Sequence, residues 1–191
     1  MIKVGEFEKV SYEQFRAEVV AQCGKNRFSD EDLRCYYEEL KLPERKTVGS
    51  AGYDFHAPFD FEIPCGRSFA FPTGIRCKMD KGWFLALFPR SGLGFQYRMR
   101  LDNTVGIIDS DYSESDNEGQ MMAKFSNDSH DGKPIVIKRG EAYMQGIFIP
   151  YGITTNDMTT GLRNGGFGST DKKPTKRGLK HGRGRPRRYL A

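Results

Sequence analysis

Trp83-Phe84-Leu85-Ala86-Leu87-Phe88-Pro89-Arg90-Ser91-Gly92-Leu93-Gly94 opens with six apolar residues and closes on a turn. The apolar run is short and faces both ways, as a strand buried on both sides does. Working outward, Ile135-Val136-Ile137 and Ile147-Phe148-Ile149 repeat the pattern. Pro64-Cys65-Gly66, Lys81-Gly82, Asp131-Gly132 and Arg139-Gly140 divide residues 45–155 into short segments. Many short strands between such turns predict a mainly β sandwich or barrel and argue against a βαβ fold.

Residues 11–42 have a different period. Tyr12, Phe15, Val19, Val20 and Cys23 share one helical face and Gly24 stops it; Ser29-Asp-Glu-Asp starts a second helix carrying Leu33, Tyr36, Tyr37 and Leu40, with Pro43 beyond. The expected arrangement is a helical hairpin packed on the β domain. Four segments follow: a helical extension over 1–42, a β domain over 43–160, a mobile glycine-rich arm over 161–171 and a disordered basic tail over 172–191.

The 191 residues are 37% hydrophobic and 13% aromatic, enough for one modest core. No apolar run approaches the roughly 18 residues of a membrane span, and Met1–Glu6 lacks the apolar stretch of a signal peptide. The expected location is the cytoplasm. Cys23, Cys35, Cys65 and Cys77 form no Cys-x-x-Cys, and with three histidines no zinc spacing exists, so reduced thiols are expected. All 25 acids lie at or before Asp171 against 21 of the 30 Lys and Arg. The net +5 therefore describes an acidic body of −4 with nine cations on residues 172–191.

Four features carry chemistry. Pro89-Arg90-Ser91-Gly92-Leu93-Gly94 offers a cation, a hydroxyl and approachable backbone N–H groups, the parts of a phosphate cradle. Gly106-Ile107-Ile108-Asp109-Ser110-Asp111-Tyr112 sets two carboxylates and a phenol after an apolar strand. Gln145 stands among apolar neighbours, where an unpartnered amide is costly. Arg163, Phe167, Ser169 and Thr170 add a cation, a stacking ring and hydroxyls. No Gly-x-x-x-x-Gly-Lys-Ser/Thr is present, so these glycines are not a P-loop. Together the four suit a nucleoside polyphosphate.

In their order these motifs resemble those of the homotrimeric all-β deoxyuridine triphosphatase family: Ala51-Gly-Tyr-Asp54, Pro89–Gly94, Asn103-Thr-Val-Gly-Ile-Ile-Asp-Ser-Asp-Tyr112, Gly140-Glu-Ala-Tyr-Met-Gln145 and Arg163-Asn-Gly-Gly-Phe-Gly-Ser-Thr170. The resemblance covers roughly residues 40–171. It implies a β-clip barrel and hydrolysis of dUTP to dUMP and pyrophosphate, which limits uracil in DNA and supplies dUMP for dTMP synthesis. It also implies Mg²⁺ and a homotrimer with shared sites. Asp109 would be the general base. Asp54 would hold Mg²⁺ through water, and Gln145 would stand near the α-phosphate and that water shell. Arg90, Ser91 and Gly92 would contact phosphate. Asn103, Gly106, Ile107 and Ile108 would read uracil, and Tyr112 would lie under the deoxyribose and exclude a 2′-hydroxyl. Arg163, Phe167, Gly168, Ser169 and Thr170 would close over the substrate from a neighbouring subunit. Met122 is either a substrate contact or strand packing.

The chain departs from the family pattern in several places. Tyr112 is followed by Ser-Glu-Ser-Asp-Asn-Glu-Gly119, five residues longer than the usual Tyr-x-Gly and richer by three acids, which predicts an enlarged acidic hairpin. A fourth-motif arginine is replaced by Ala142. Arg163 stands four residues before Phe167 where five is usual, and Asp171 replaces a glycine. In the tail, Arg183-Gly184-Arg185-Pro186 resembles an AT-hook, whose extended arginines suit a narrow A·T minor groove. Two other readings stand beside hydrolysis: a dCTP deaminase-like enzyme of the same fold, disfavoured by the Asp109–Tyr112 run, and a nucleotide-sensing trimer that binds DNA or protein.

Overall fold

The segment 83–89 is a strand and lies inside a sheet, as its apolar run requires. In the computed structural model, which describes residues 2–163 and 165, it is flanked by partners on both sides. Eleven short strands form among the described residues: β1 (Gly5–Lys9), β2 (Tyr53–His56), β3 (Phe61–Ile63), β4 (Ser68–Pro72), β5 (Ile75–Met79), β6 (Trp83–Pro89), β7 (Met99–Leu101), β8 (Gly106–Ile108), β9 (Met122–Asn127), β10 (Ile135–Ile137) and β11 (Ala142–Pro150). The helices are α1 (Tyr12–Cys23), α2 (Asp30–Glu38) and the short α3 (Ser91–Tyr97). The protein is therefore mainly β with an N-terminal helical hairpin. Among the described residues no helix is long and apolar enough to cross a membrane.

All strand pairs are antiparallel, in four small sheets: β2-β11-β6-β8, β4-β9-β7, β1-β5 and β3-β10. Their inner faces enclose an aromatic core in which the Tyr143 ring lies 5.2 Å from Phe71 and 5.7 Å from Phe125, with Phe61 4.6 Å from Phe71. Phe15, Val19 and Leu33 of the hairpin belong to the same buried cluster. Gly74 marks the closest approach: at φ +73°, an added Cβ would lie 2.5 Å from Leu40 Cδ1. The hairpin thus shares its apolar stripes with the β domain.

Two elements differ from the sequence reading. Gly5–Lys9 forms β1 on the edge strand β5, a pairing that Glu8 reinforces through Arg76 (2.6 Å) and Lys78 (2.8 Å); five residues with charged neighbours carry too weak an alternation to reveal it. Ser91–Tyr97 forms α3, a helix the sequence reading did not predict. Trp83 and Phe84, at the start of β6, are only half-buried.

Candidate active site

The predicted site residues fall into two groups on the sheet β2-β11-β6-β8. The first surrounds the edge strand β8. The turn before β8 is tight, with Thr104 at φ +64° and Val105 N–H donating to Asn103 O (2.7 Å). Gly106 lies against Leu87, whose Cβ would be 3.0 Å from an added side chain. A pocket of about 250 Å³ results, lined by Leu87, Asn103, Val105, Gly106, Ile107, Ile108, Tyr112, Met122 and Arg163. Leu87 and Val105 were not named from sequence; inward alternation of β6 was the available signal for Leu87. Met122 lines the pocket while also pairing in β9.

At the end of β8 the Asp109 carboxylate is half-exposed and ion-paired to the Arg163 guanidinium of the same chain. Arg163 Nε also donates to Asp111 Oδ1 (2.8 Å), and the guanidinium lies 5.6 Å over the Tyr112 ring. Burial disfavours the charge on Arg163, but the bonds to Asp111 and Asp109 outweigh it and raise its pKa. Tyr112 is buried, which pushes its phenol pKa up against the pull of Asn117 and Arg163.

The second group gathers where β6 ends. Arg90 takes an extended conformation before α3, leaving the N–H groups of Ser91, Gly92 and Leu93 without intrahelical acceptors. Nothing stands where a Gly92 side chain would be. Arg90 Nε lies 3.4 Å from Asp54 Oδ1, and Nη1 donates to Ala142 O (3.4 Å). Gln145, between β2 and β6, donates to Pro89 O (3.4 Å), which answers the cost of its amide among apolar neighbours. Gly52 leaves room for that amide, since a Cβ would fall 2.5 Å from Gln145 Oε1 and push it aside.

Strand register separates the two groups. Leu85 pairs with Ile108, so Asp109 continues opposite Phe84, whereas Phe88 pairs with Gln145 and Gln145 with Asp54. Four residues along the strand and two strands across place Asp109 about 16 Å from Gln145. Phe167, Gly168, Ser169 and Thr170, and the tail residues Arg183, Gly184, Arg185 and Pro186, lie outside the described residues.

The dUTPase family model matches residues 38–171. The deoxyuridine 5′-triphosphate nucleotidohydrolase of Lactococcus lactis is 36% identical over 134 residues, covering 69% of this chain and 88% of that protein. That of Histophilus somni is 36% identical over 143 residues, covering 71% and 90%. The crystal structure of Streptococcus mutans dUTPase superposes with a TM-score of 0.56 at 30% identity, covering 78% of this chain and 98% of that one. The dUTPase of Staphylococcus aureus phage phi11, at 19% identity and a TM-score of 0.52, covering 68% and 94%, shares the fold. The chain belongs to the dUTPase family.

Proposed function

We propose that this protein hydrolyses dUTP to dUMP and pyrophosphate, with Asp109 as general base. The observation that carries this reading is the half-exposed Asp109 carboxylate beside a pocket built from Asn103, Gly106, Ile107, Ile108 and Tyr112. The pocket takes uracil on the hairpin and deoxyribose on the Tyr112 ring. Asp109 removes a proton from water, whose oxygen forms the new bond to the α-phosphorus. The bond to the bridging oxygen breaks, and pyrophosphate leaves with the electron pair. A positioned carboxylate base contributes about 10²–10⁴-fold. In the free chain Arg163 occupies that carboxylate, so substrate phosphates are its alternative partner.

Asp54 and the Gln145 amide oxygen fit a hydrated Mg²⁺, which takes hard oxygen ligands, commonly one or two carboxylates with waters and phosphates. When bound there, the ion neutralises phosphate charge. Arg90 and the free N–H groups of Ser91 and Gly92 serve the same phosphates. The 16 Å between Asp109 and Gln145 supports a homotrimer in which each site draws on more than one chain, with Phe167, Gly168, Ser169 and Thr170 closing from a neighbour. Residues 1–42, 43–160, 161–171 and 172–191 then act as helical brace, catalytic body, closing arm and tail. Four free thiols suit a reducing compartment such as the cytoplasm.

Pyrophosphate release across dUTP, UTP, dTTP and dCTP tests the activity. Wild type should turn over dUTP, and Asp109→Asn should lower kcat by about 10²–10⁴-fold while retaining binding. Wild-type turnover by that variant overturns the role of Asp109, and ammonia release from dCTP would favour the deaminase. The basic tail supports a separate reading as an A·T-selective DNA tether. Deleting 172–191 should abolish salt-sensitive binding to A·T-rich duplex and leave dUTP hydrolysis nearly unchanged. Equal affinity for G·C-rich duplex would reduce it to a nonspecific basic tail.

A further inference from the structure

The five extra residues between Tyr112 and Gly119 build a small structured turn. A 3-10 turn at Tyr112–Glu114 is closed by Ser115 N–H to Tyr112 O (3.1 Å), and Glu118 N–H then donates to Ser115 O (2.8 Å). Glu118 and Gly119 both lie in the left-handed region, at φ +57° and +72°. A Cβ on Gly119 would sit 2.5 Å from Ser113 Cα, so the turn admits glycine alone there.

This turn aims two side chains in opposite directions. Asn117 points to the Tyr112 hydroxyl and donates to it from Nδ2 (2.9 Å), while that hydroxyl donates to Gln120 O (3.1 Å). The amide's orientation is fixed, because Asn117 Oδ1 accepts from Gly119 N–H (3.2 Å). Glu118 points the other way, to the start of α1. Its carboxylate accepts from Ser11 N–H (2.7 Å) and Ser11 Oγ (2.6 Å). Ser11 is the N-cap of α1 and accepts from Gln14 N–H (3.2 Å). In an ordinary capping box the third helical residue, here Gln14, supplies the acceptor for the N-cap N–H. Glu118 does so from 107 residues away.

We propose that Asn117 is a positioning residue for sugar discrimination: it holds the Tyr112 ring beneath the deoxyribose, and Glu118 braces that turn against the N-terminal helix. This rests on the dUTPase reading of the pocket. A ring can reject a 2′-hydroxyl only if it cannot tilt away. Here both lone-pair and proton contacts of its hydroxyl are made within a turn that is itself tied to α1.

The test is steady-state kinetics of the full chain with dUTP and UTP. Asn117→Ala should lower the dUTP-to-UTP ratio of kcat/KM by about tenfold, mainly through a lower KM for UTP. In a Tyr112→Phe background, where the hydroxyl is gone, the same substitution should change the ratio by less than about threefold. A ratio unchanged by Asn117→Ala, or a loss of equal size in the Phe background, overturns the proposal. Glu118→Gln and Ser11→Ala keep Asn117 and loosen only the brace. They should lower the ratio by about threefold, and they decide the matter if Asn117→Ala fails to fold: an unchanged ratio in both overturns it. Failure of wild type to hydrolyse dUTP would instead overturn the activity itself.

Discussion

Tyr143 stands amid Phe61, Phe71 and Phe125, and its fully buried hydroxyl has no hydrogen-bond partner among the described residues. Burial accordingly raises its pKa well above the ordinary phenol value. An unpaired buried hydroxyl costs about 1–3 kcal/mol, and Phe fills the same ring volume. Tyr143→Phe should therefore raise the melting temperature, with a gain of about 1 kcal/mol by denaturant titration; a loss would mean that the hydroxyl has a partner. Gly52 gives the opposite kind of effect. Its missing side chain leaves room for the far end of Gln145, a flexible group that can swing aside. Gly52→Ala should leave the melting temperature nearly unchanged but lower kcat/KM by about 10–100-fold through displacement of the amide. Unchanged kinetics would remove Gln145 from the machinery.

At the scale of elements, the link between Glu118 and α1 gives a stability term with a definite pH window. The bonds from Ser11 hold the Glu118 carboxyl below its ordinary value, with burial opposing. A carboxylate depressed in the native state stabilises the fold above its unfolded pKa of about 4.3, and that contribution disappears as pH falls through the native value. Wild type should melt above Glu118→Gln at pH 7, and the difference should close on acidification below about pH 4. A difference independent of pH would point to shape rather than charge. The sequence betrayed neither end of this link. Ser11 drew no notice ahead of the first helix and Glu118 counted as one more acid, and only a fold that brings residues 107 positions apart together joins them. The helices were legible because their stripes are local, and β6, β10 and β11 because their apolar runs are dense. β1 was hidden because its pairing residues, Glu6, Glu8 and Lys9, look like solvated surface. The enlarged hairpin expected after Tyr112 proved to be a 3-10 turn, since consecutive left-handed residues fold the insert back on itself.

For the whole molecule, the motif resemblance implied sites shared between chains, but motif spacing did not show which motifs one chain keeps apart. The family resemblance implies that Asp109, Arg90 and Gln145 belong to one chemistry. Strand register says that Asp109 lies at one end of the sheet and the other two at its opposite end, roughly 16 Å from Asp109 to Gln145. On the proposed mechanism, a water held by Asp109 could not attack a phosphorus held by the same chain's Gln145 across that span. In the proposed homotrimer, copies related by closed rotational symmetry would resolve this, each lending one end of its sheet to a neighbour. The consequence is complementation between two crippled chains. Asp109→Asn and Arg90→Ala homo-oligomers should each be nearly inactive, one lacking the base and the other the phosphate cation. Co-expressed in equal amounts, they form hybrids in which a site can draw Asp109 from one chain and Arg90 from the other. If the two contributions are independent, about a quarter of the sites receive both intact residues. Activity near that fraction of wild type, in a species of trimeric mass by light scattering, is the expected result. Activity no greater than that of the two variants assayed separately would mean that each chain carries a site of its own.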